Sequence, residues 1–139
     1  MVMRRRSVLV VDDEENVAWT MGRLLKAEGF NVTWVTTTAA ALENLRNNDF
    51  DVLMTDLRME EADSGMTIIA AAKRLAYPPV LVIFTGYASE DVARRAMDLR
   101  IDYLACKPVD TEKMLNALER LLDRREILAK GQGAARGVA

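Results

Sequence analysis

Five short apolar runs punctuate this chain and restrict its fold more than any other feature. They span residues 8–11, 32–35, 52–54, 80–84 and 103–106. The first, third and fourth are almost continuously apolar and are bounded by polar or turn residues. A strand with one face in water alternates apolar and polar residues; a strand covered on both faces does not. Helical patterns lie between the runs. Val17, Met21, Leu24 and Leu25 share one helix face, and Gly29 supplies a stop. Thr38 is expected to cap a helix carrying Leu42 and Leu45. Ile68, Ile69, Ala72 and Leu75 mark a third helix, closed by Pro78 and Pro79. Ser89 caps a fourth, with Glu90 and Asp91 in its first turn. The fifth starts near Asp110 or Thr111 and buries Met114, Leu118, Leu121 and Leu122, with a run-on through Ile127 and Leu128. Five βα units in a row predict an α/β fold, a doubly wound five-stranded parallel sheet.

The length, 139 residues, fits one domain, placed at 7–127. Residues 128–139 are small and Gly-rich toward the end, and read as a flexible C-terminal tail or the start of a linker. Asp123, Arg124, Arg125 and Glu126 form either a solvated face or a path toward a partner. A net charge of -2 gives no global reason for direct nucleic-acid or membrane binding, and no run has the length of a membrane span. The absence of histidine excludes a Ser-His-Asp triad, a His-bearing zinc site and a phosphohistidine donor within the chain. The single cysteine, Cys106, rules out an internal disulfide and fits a reducing cytoplasm.

The chemistry-bearing residues stand at the ends of the runs. Asp12 and Asp13 follow the first, Asp56 the third and Thr85 the fourth, while Lys107 follows the fifth and precedes Pro108. Parallel sheets bind ligands beyond the carboxyl ends of their strands, where strand order reverses. Several acids and one ammonium gathered there can hold a divalent cation and a phosphoryl group.

Val10-Val11-Asp12-Asp13-Glu14, Asp56-Leu57-Arg58-Met59, Phe84-Thr85-Gly86 and Lys107-Pro108, in that order, resemble a response-regulator receiver domain of two-component signalling. The likeness covers roughly residues 7 to 125 and implies strand order 2-1-3-4-5. It implies that Asp56 accepts phosphate from a sensor histidine kinase or phosphotransfer protein, with Mg2+ as cofactor. A carboxylate attacking a phosphoryl group is repelled by its charge, so the reaction needs cations. By resemblance Asp13 ligates Mg2+ directly, Asp12 acts partly through water, Asp56 contributes its carboxylate, and the backbone carbonyl of Arg58 completes the protein ligands. Lys107 pairs with phosphoryl oxygens, Thr85 donates its hydroxyl to the attached group, and the Lys107–Pro108 peptide is cis. The movement of Thr85 then remodels the surface of the fourth helix, fifth strand and fifth helix, toward a downstream effector protein or domain. A homodimer through that face is common in the family.

Two departures stand out. The family's switch aromatic on the fifth strand, counted back from Lys107, falls on Leu104, with Tyr103 one residue early. Either a bulge restores Tyr103, or the switch works without an inward-turning aromatic. The loop after Asp56 carries Glu60 where the family has proline, and its glycine arrives one residue late, as Gly65. Arg58 and Tyr87 flank the phosphoryl path. These departures motivate a second reading, a phosphorylation-independent interaction module of the same fold. A phosphatase of the haloacid-dehalogenase type needs a second acid two residues past its nucleophile, and Arg58 stands there.

Overall fold

The computed structural model describes residues 6–61, 63–86 and 89–137, with side chains as far as Gly131. Ten elements alternate: β1 (Ser7–Val11), α1 (Glu15–Ala27), β2 (Asn31–Val35), α2 (Thr38–Asn47), β3 (Val52–Thr55), α3 (Ser64–Lys73), β4 (Val80–Thr85), α4 (Glu90–Asp98), β5 (Tyr103–Cys106) and α5 (Thr111–Gly137). The five strands form one parallel sheet in the order β2-β1-β3-β4-β5. Fold class and strand order are therefore those expected.

The near-continuous apolarity of the strands has a direct cause. Val8, Val10, Val52, Met54, Val82 and Phe84 point to one side, against Ala18, Met21 and Leu25 of α1 and Met114, Leu118 and Leu122 of α5. Leu9, Val11, Leu53, Leu81 and Ile83 point to the other, against Ala41 and Leu45 of α2, Ile68, Ile69 and Ala72 of α3, and Val92 and Ala96 of α4. Successive residues serve opposite cores, so neither parity can be polar.

The helix ends follow local chemistry, with one shift from expectation. Thr37, not Thr38, is the cap of α2: its backbone is extended and its side chain accepts from the Ala40 N–H at 3.1 Å. Three threonines in a row, Thr36 to Thr38, are chemically equivalent caps, and only the backbone decides among them. Ser89 caps α4 through the Val92 N–H. Asp110 accepts from the Lys113 N–H at the start of α5. Gly29 follows α1 with φ +94, a conformation that favours glycine.

The segment expected to be a tail from residue 128 is instead helical as far as Gly137. Between Thr111 and Lys130 the stretch contains no glycine or proline, and good helix formers such as Leu, Ala, Glu, Lys and Arg dominate it. The charged stretch preceding it is also not simply a solvated face. Arg6 pairs with Asp123 at 2.7 Å and Glu126 at 3.1 Å. Arg125 binds Asp51 at 2.9 Å, donates to the Pro78 carbonyl and lies 3.8 Å from the Tyr77 ring centre. These contacts fasten α5 to the amino-terminal edge of the sheet. Among the described residues no helix is long and apolar enough to cross a membrane.

Candidate phosphoacceptor site

The sheet order creates the site. The chain leaves β1 toward β2 on one side and leaves β3 toward β4 on the other, so a crevice opens at the carboxyl ends of β1 and β3. Val11 is in register with Thr55, which makes Asp12 and Asp56 the next residues on adjacent strands. Thr85 is in register with Cys106, and the Lys107 N–H donates to the Thr85 carbonyl at 2.8 Å. The sheet thus brings residues from four corners of the sequence to one edge.

Each buried carboxylate divides its two oxygens in the same way. Asp12 Oδ1 accepts from the Glu14 N–H at 2.9 Å, and Asp56 Oδ1 from the Arg58 N–H at 3.2 Å. Both are local turns in which an aspartate binds the backbone two residues on. The outer oxygens meet a shared cation: Lys107 Nζ lies 2.8 Å from Asp12 Oδ2 and 2.9 Å from Asp56 Oδ2. Asp12 is fully buried, while Asp56 retains 8% exposure, so a donor can reach Asp56. The Lys107 ammonium also sits 5.0 Å from the Phe84 ring centre, a favourable cation–ring contact. Phe84 stood in the sequence motif Phe84-Thr85-Gly86 but was given no role there; as a core position on β4 it carried no polar signal. Burial lowers the lysine's pKa, but its hydrogen bonds and charge interactions with Asp12 and Asp56 outweigh that and hold it above the ordinary value. The ammonium therefore stays charged throughout the neutral range.

Asp13 is exposed at the rim of the crevice. Its pKa is raised, first by partial desolvation and then by the negative charge of Asp12. Such a negative field suits a bound cation. Among the described residues no three acids close into a ready-made metal cage. The donors nevertheless fit Mg2+, which takes hard oxygens, uses one or two carboxylates and retains several waters. The carboxylates of Asp12, Asp13 and Asp56 and the carbonyl of Arg58 are the candidates. Arg58 is exposed and Thr85 buried; both are engaged in further interactions. The Lys107–Pro108 peptide is cis. Tyr87 lies outside the described residues.

The two aromatic-slot candidates separate cleanly. Tyr103 and Leu104 pair with Val82 and Ile83 in unbroken register, so no bulge shifts them. Tyr103 packs with the α1 and α5 cluster, and Leu104 with the cluster of α2, α3 and α4.

The displaced glycine has a steric reason. A Cβ at Gly65 would lie 2.3 Å from the Asp56 carbonyl oxygen and 2.6 Å from Leu57 Cα. Its N–H donates to the Leu57 carbonyl at 3.1 Å, so α3 begins directly against the backbone of Asp56 and Leu57. Gly65→Ala is expected to cost about 2–3 kcal/mol of stability, read by urea denaturation; a loss of only a few tenths would mean that the loop yields freely.

Comparison with known proteins agrees with this geometry. The response regulator receiver domain pattern matches residues 8–119. Transcriptional regulatory protein ZraR of Escherichia coli O157:H7 is 33% identical over 122 residues, covering 87% of this chain and 27% of that protein. DNA-binding transcriptional regulator NtrC of Escherichia coli K12 is 31% identical over 121 residues, covering 86% of this chain and 25% of that protein. The chain thus spans about a quarter of the length of these curated relatives. A CheY-like response regulator receiver domain protein of Methanospirillum hungatei superposes with a TM-score of 0.80 at 23% identity, covering 88% of this chain and 98% of that one.

Proposed function

Since this chain belongs to the response regulator receiver domain family of two-component signalling, we propose that it accepts a phosphoryl group on Asp56, with Mg2+ bound, from a sensor histidine kinase or phosphotransfer protein. The observation that carries this reading is the single ammonium of Lys107 held between two carboxylates on adjacent strand ends. The carboxylate oxygen of Asp56 attacks phosphorus, the donor's P–N bond breaks, and the electron pair leaves with the donor imidazole. Mg2+ supplies neutralisation of the charge that builds up on the phosphoryl oxygens. Lys107 balances the charge added at the sheet edge, and the Thr85 hydroxyl donates to an oxygen of the attached group. The result is an acyl phosphate that water later hydrolyses, so the chemistry is confined to self-phosphorylation and self-dephosphorylation.

Output follows through the α4-β5-α5 surface. Thr85 ends β4, and its carbonyl holds the Lys107 N–H at the end of β5. A move of Thr85 toward new phosphoryl oxygens therefore pulls on both strand ends. Leu104, partly buried and packed against the core that includes Val92 and Ala96 of α4, fills the vacated space without an aromatic. The recipient is a downstream effector protein or domain in the cytoplasm, with a homodimer on this face as one form of output.

Incubation with Mg2+ and a small phosphodonor should add one phosphoryl group, located at Asp56 by peptide mass mapping, and beryllofluoride should bind at the same place. A chain that gains no mass and binds no beryllofluoride overturns the proposal. The lack of an aromatic in the switch slot favours a second reading, a phosphorylation-independent interaction module. Equal partner affinity with and without phosphodonor would select it.

A further inference from the structure

The loop between β3 and α3 is fastened by an acid that the family's usual proline does not provide. Glu60 Oε1 accepts from both the backbone N–H of Thr38, at 2.6 Å, and its hydroxyl, at 3.0 Å. Thr38 is the first residue of α2, where backbone N–H groups lack intrahelical partners and the helix dipole favours negative charge. Thr37 satisfies another of those donors through its own side chain. Glu60 therefore acts as a second cap, supplied from 22 residues away.

The residues between Asp56 and Glu60 are fixed at several points. The Arg58 N–H is donated to Asp56 Oδ1 at 3.2 Å. The Met59 N–H goes to the Glu61 carbonyl at 3.3 Å, and Met59 Sδ takes a contact from Thr55 Oγ1. The Arg58 carbonyl belongs to the same peptide unit as the Met59 N–H. Its direction is set by the turn through residues 58–61, and Glu60 ties that turn to the body of the protein.

We propose that the Glu60–Thr38 clasp is a positioning device that aims the Arg58 carbonyl into the acidic crevice and so sets the affinity of the site for Mg2+. The proposal rests on the phosphoacceptor reading. Glu60 is a positioning residue and touches no reacting atom. The same contact commits its carboxylate to α2, which keeps one more negative group from the approaching phosphate.

Thr38→Pro offers a clean test, because it removes both donors and leaves the helix start intact. Proline is welcome at a first helical position, and Thr37 already has the extended backbone, φ -130 and ψ 153, that a residue before proline needs. Calorimetric titration of the unphosphorylated protein should show Mg2+ binding weakened about ten-fold in Thr38→Pro and in Glu60→Ala, the size of loss expected when support for a metal ligand is removed. The double variant should be no weaker than either single one. Glu60→Gln, which keeps an acceptor oxygen, should recover most of the affinity. Hydrogen exchange of the amides of residues 58–61 should quicken in Thr38→Pro and Glu60→Ala without any metal. Variants that bind Mg2+ as tightly as the wild type, or losses that simply add, overturn the clasp while leaving the phosphoacceptor reading in place. A wild-type chain that binds no Mg2+ removes that reading and the clasp together.

Discussion

Asp56→Asn is expected to yield a folded protein that takes up no phosphate from any donor. The carboxamide has the same shape as the carboxylate. Its oxygen can still accept from the Arg58 N–H or from Lys107 Nζ, as the Asp56 carboxylate does. The fold loses little, because the buried pair then becomes one carboxylate facing one ammonium, where before two carboxylates shared it. Unfolding in metal-free buffer should occur within about 1 kcal/mol of the wild type. The chemistry is lost entirely, since an amide oxygen is too poor a nucleophile to displace an imidazole from phosphorus. Intact-protein mass after incubation with Mg2+ and phosphodonor reads this directly. Mass gain in Asp56→Asn would place the acceptor on another carboxylate and overturn the assignment.

The legibility of this site in the sequence follows from parallel-sheet geometry. Asp12, Asp56 and Lys107 each directly follow a strand, and parallel strands put all such positions on one edge. Counting back from Lys107 left Tyr103 and Leu104 as alternatives for the aromatic slot, and the unbroken register of β5 excludes the bulge that would have exchanged their faces. Other features had no local signal. The Glu60–Thr38 contact joins a loop to a helix start, and neither end has a periodicity that points to the other. The Arg125–Asp51 pair spans 74 residues and depends on where α5 crosses the sheet. Gly65 was visible as a displaced glycine, but the reason for it, the approach to the Asp56 carbonyl, exists only in three dimensions. The end of α5 was misplaced because a glycine-rich stretch reads as a tail, whereas the helix already formed over Thr111–Lys130 carries its propagation into that stretch.

Lys107→Ala should produce the largest loss of stability of any single change at the site. Asp12 is fully buried and Asp56 nearly so, and both depend on the same ammonium. Removing it leaves two carboxylates facing each other with no cation between them. Breaking a buried pair from one side in this way costs about 3 kcal/mol or more, equivalent to roughly 10 °C in Tm for a domain of this size. The folded pKa of Lys107 lies above its ordinary value, because both aspartates hold its proton against the effect of burial. The contribution of the ammonium is therefore complete below the unfolded lysine pKa, and is lost as pH rises through the folded one. The difference between wild type and variant should stay flat from roughly pH 6 to 9 and shrink only above the ordinary lysine range. Mg2+ should restore part of the loss, since a ligand that binds only the folded state stabilises it in proportion to the logarithm of its concentration over Kd. A variant as stable as the wild type in chelator would mean that hydration, rather than the Lys107 ammonium, stabilises the two carboxylates.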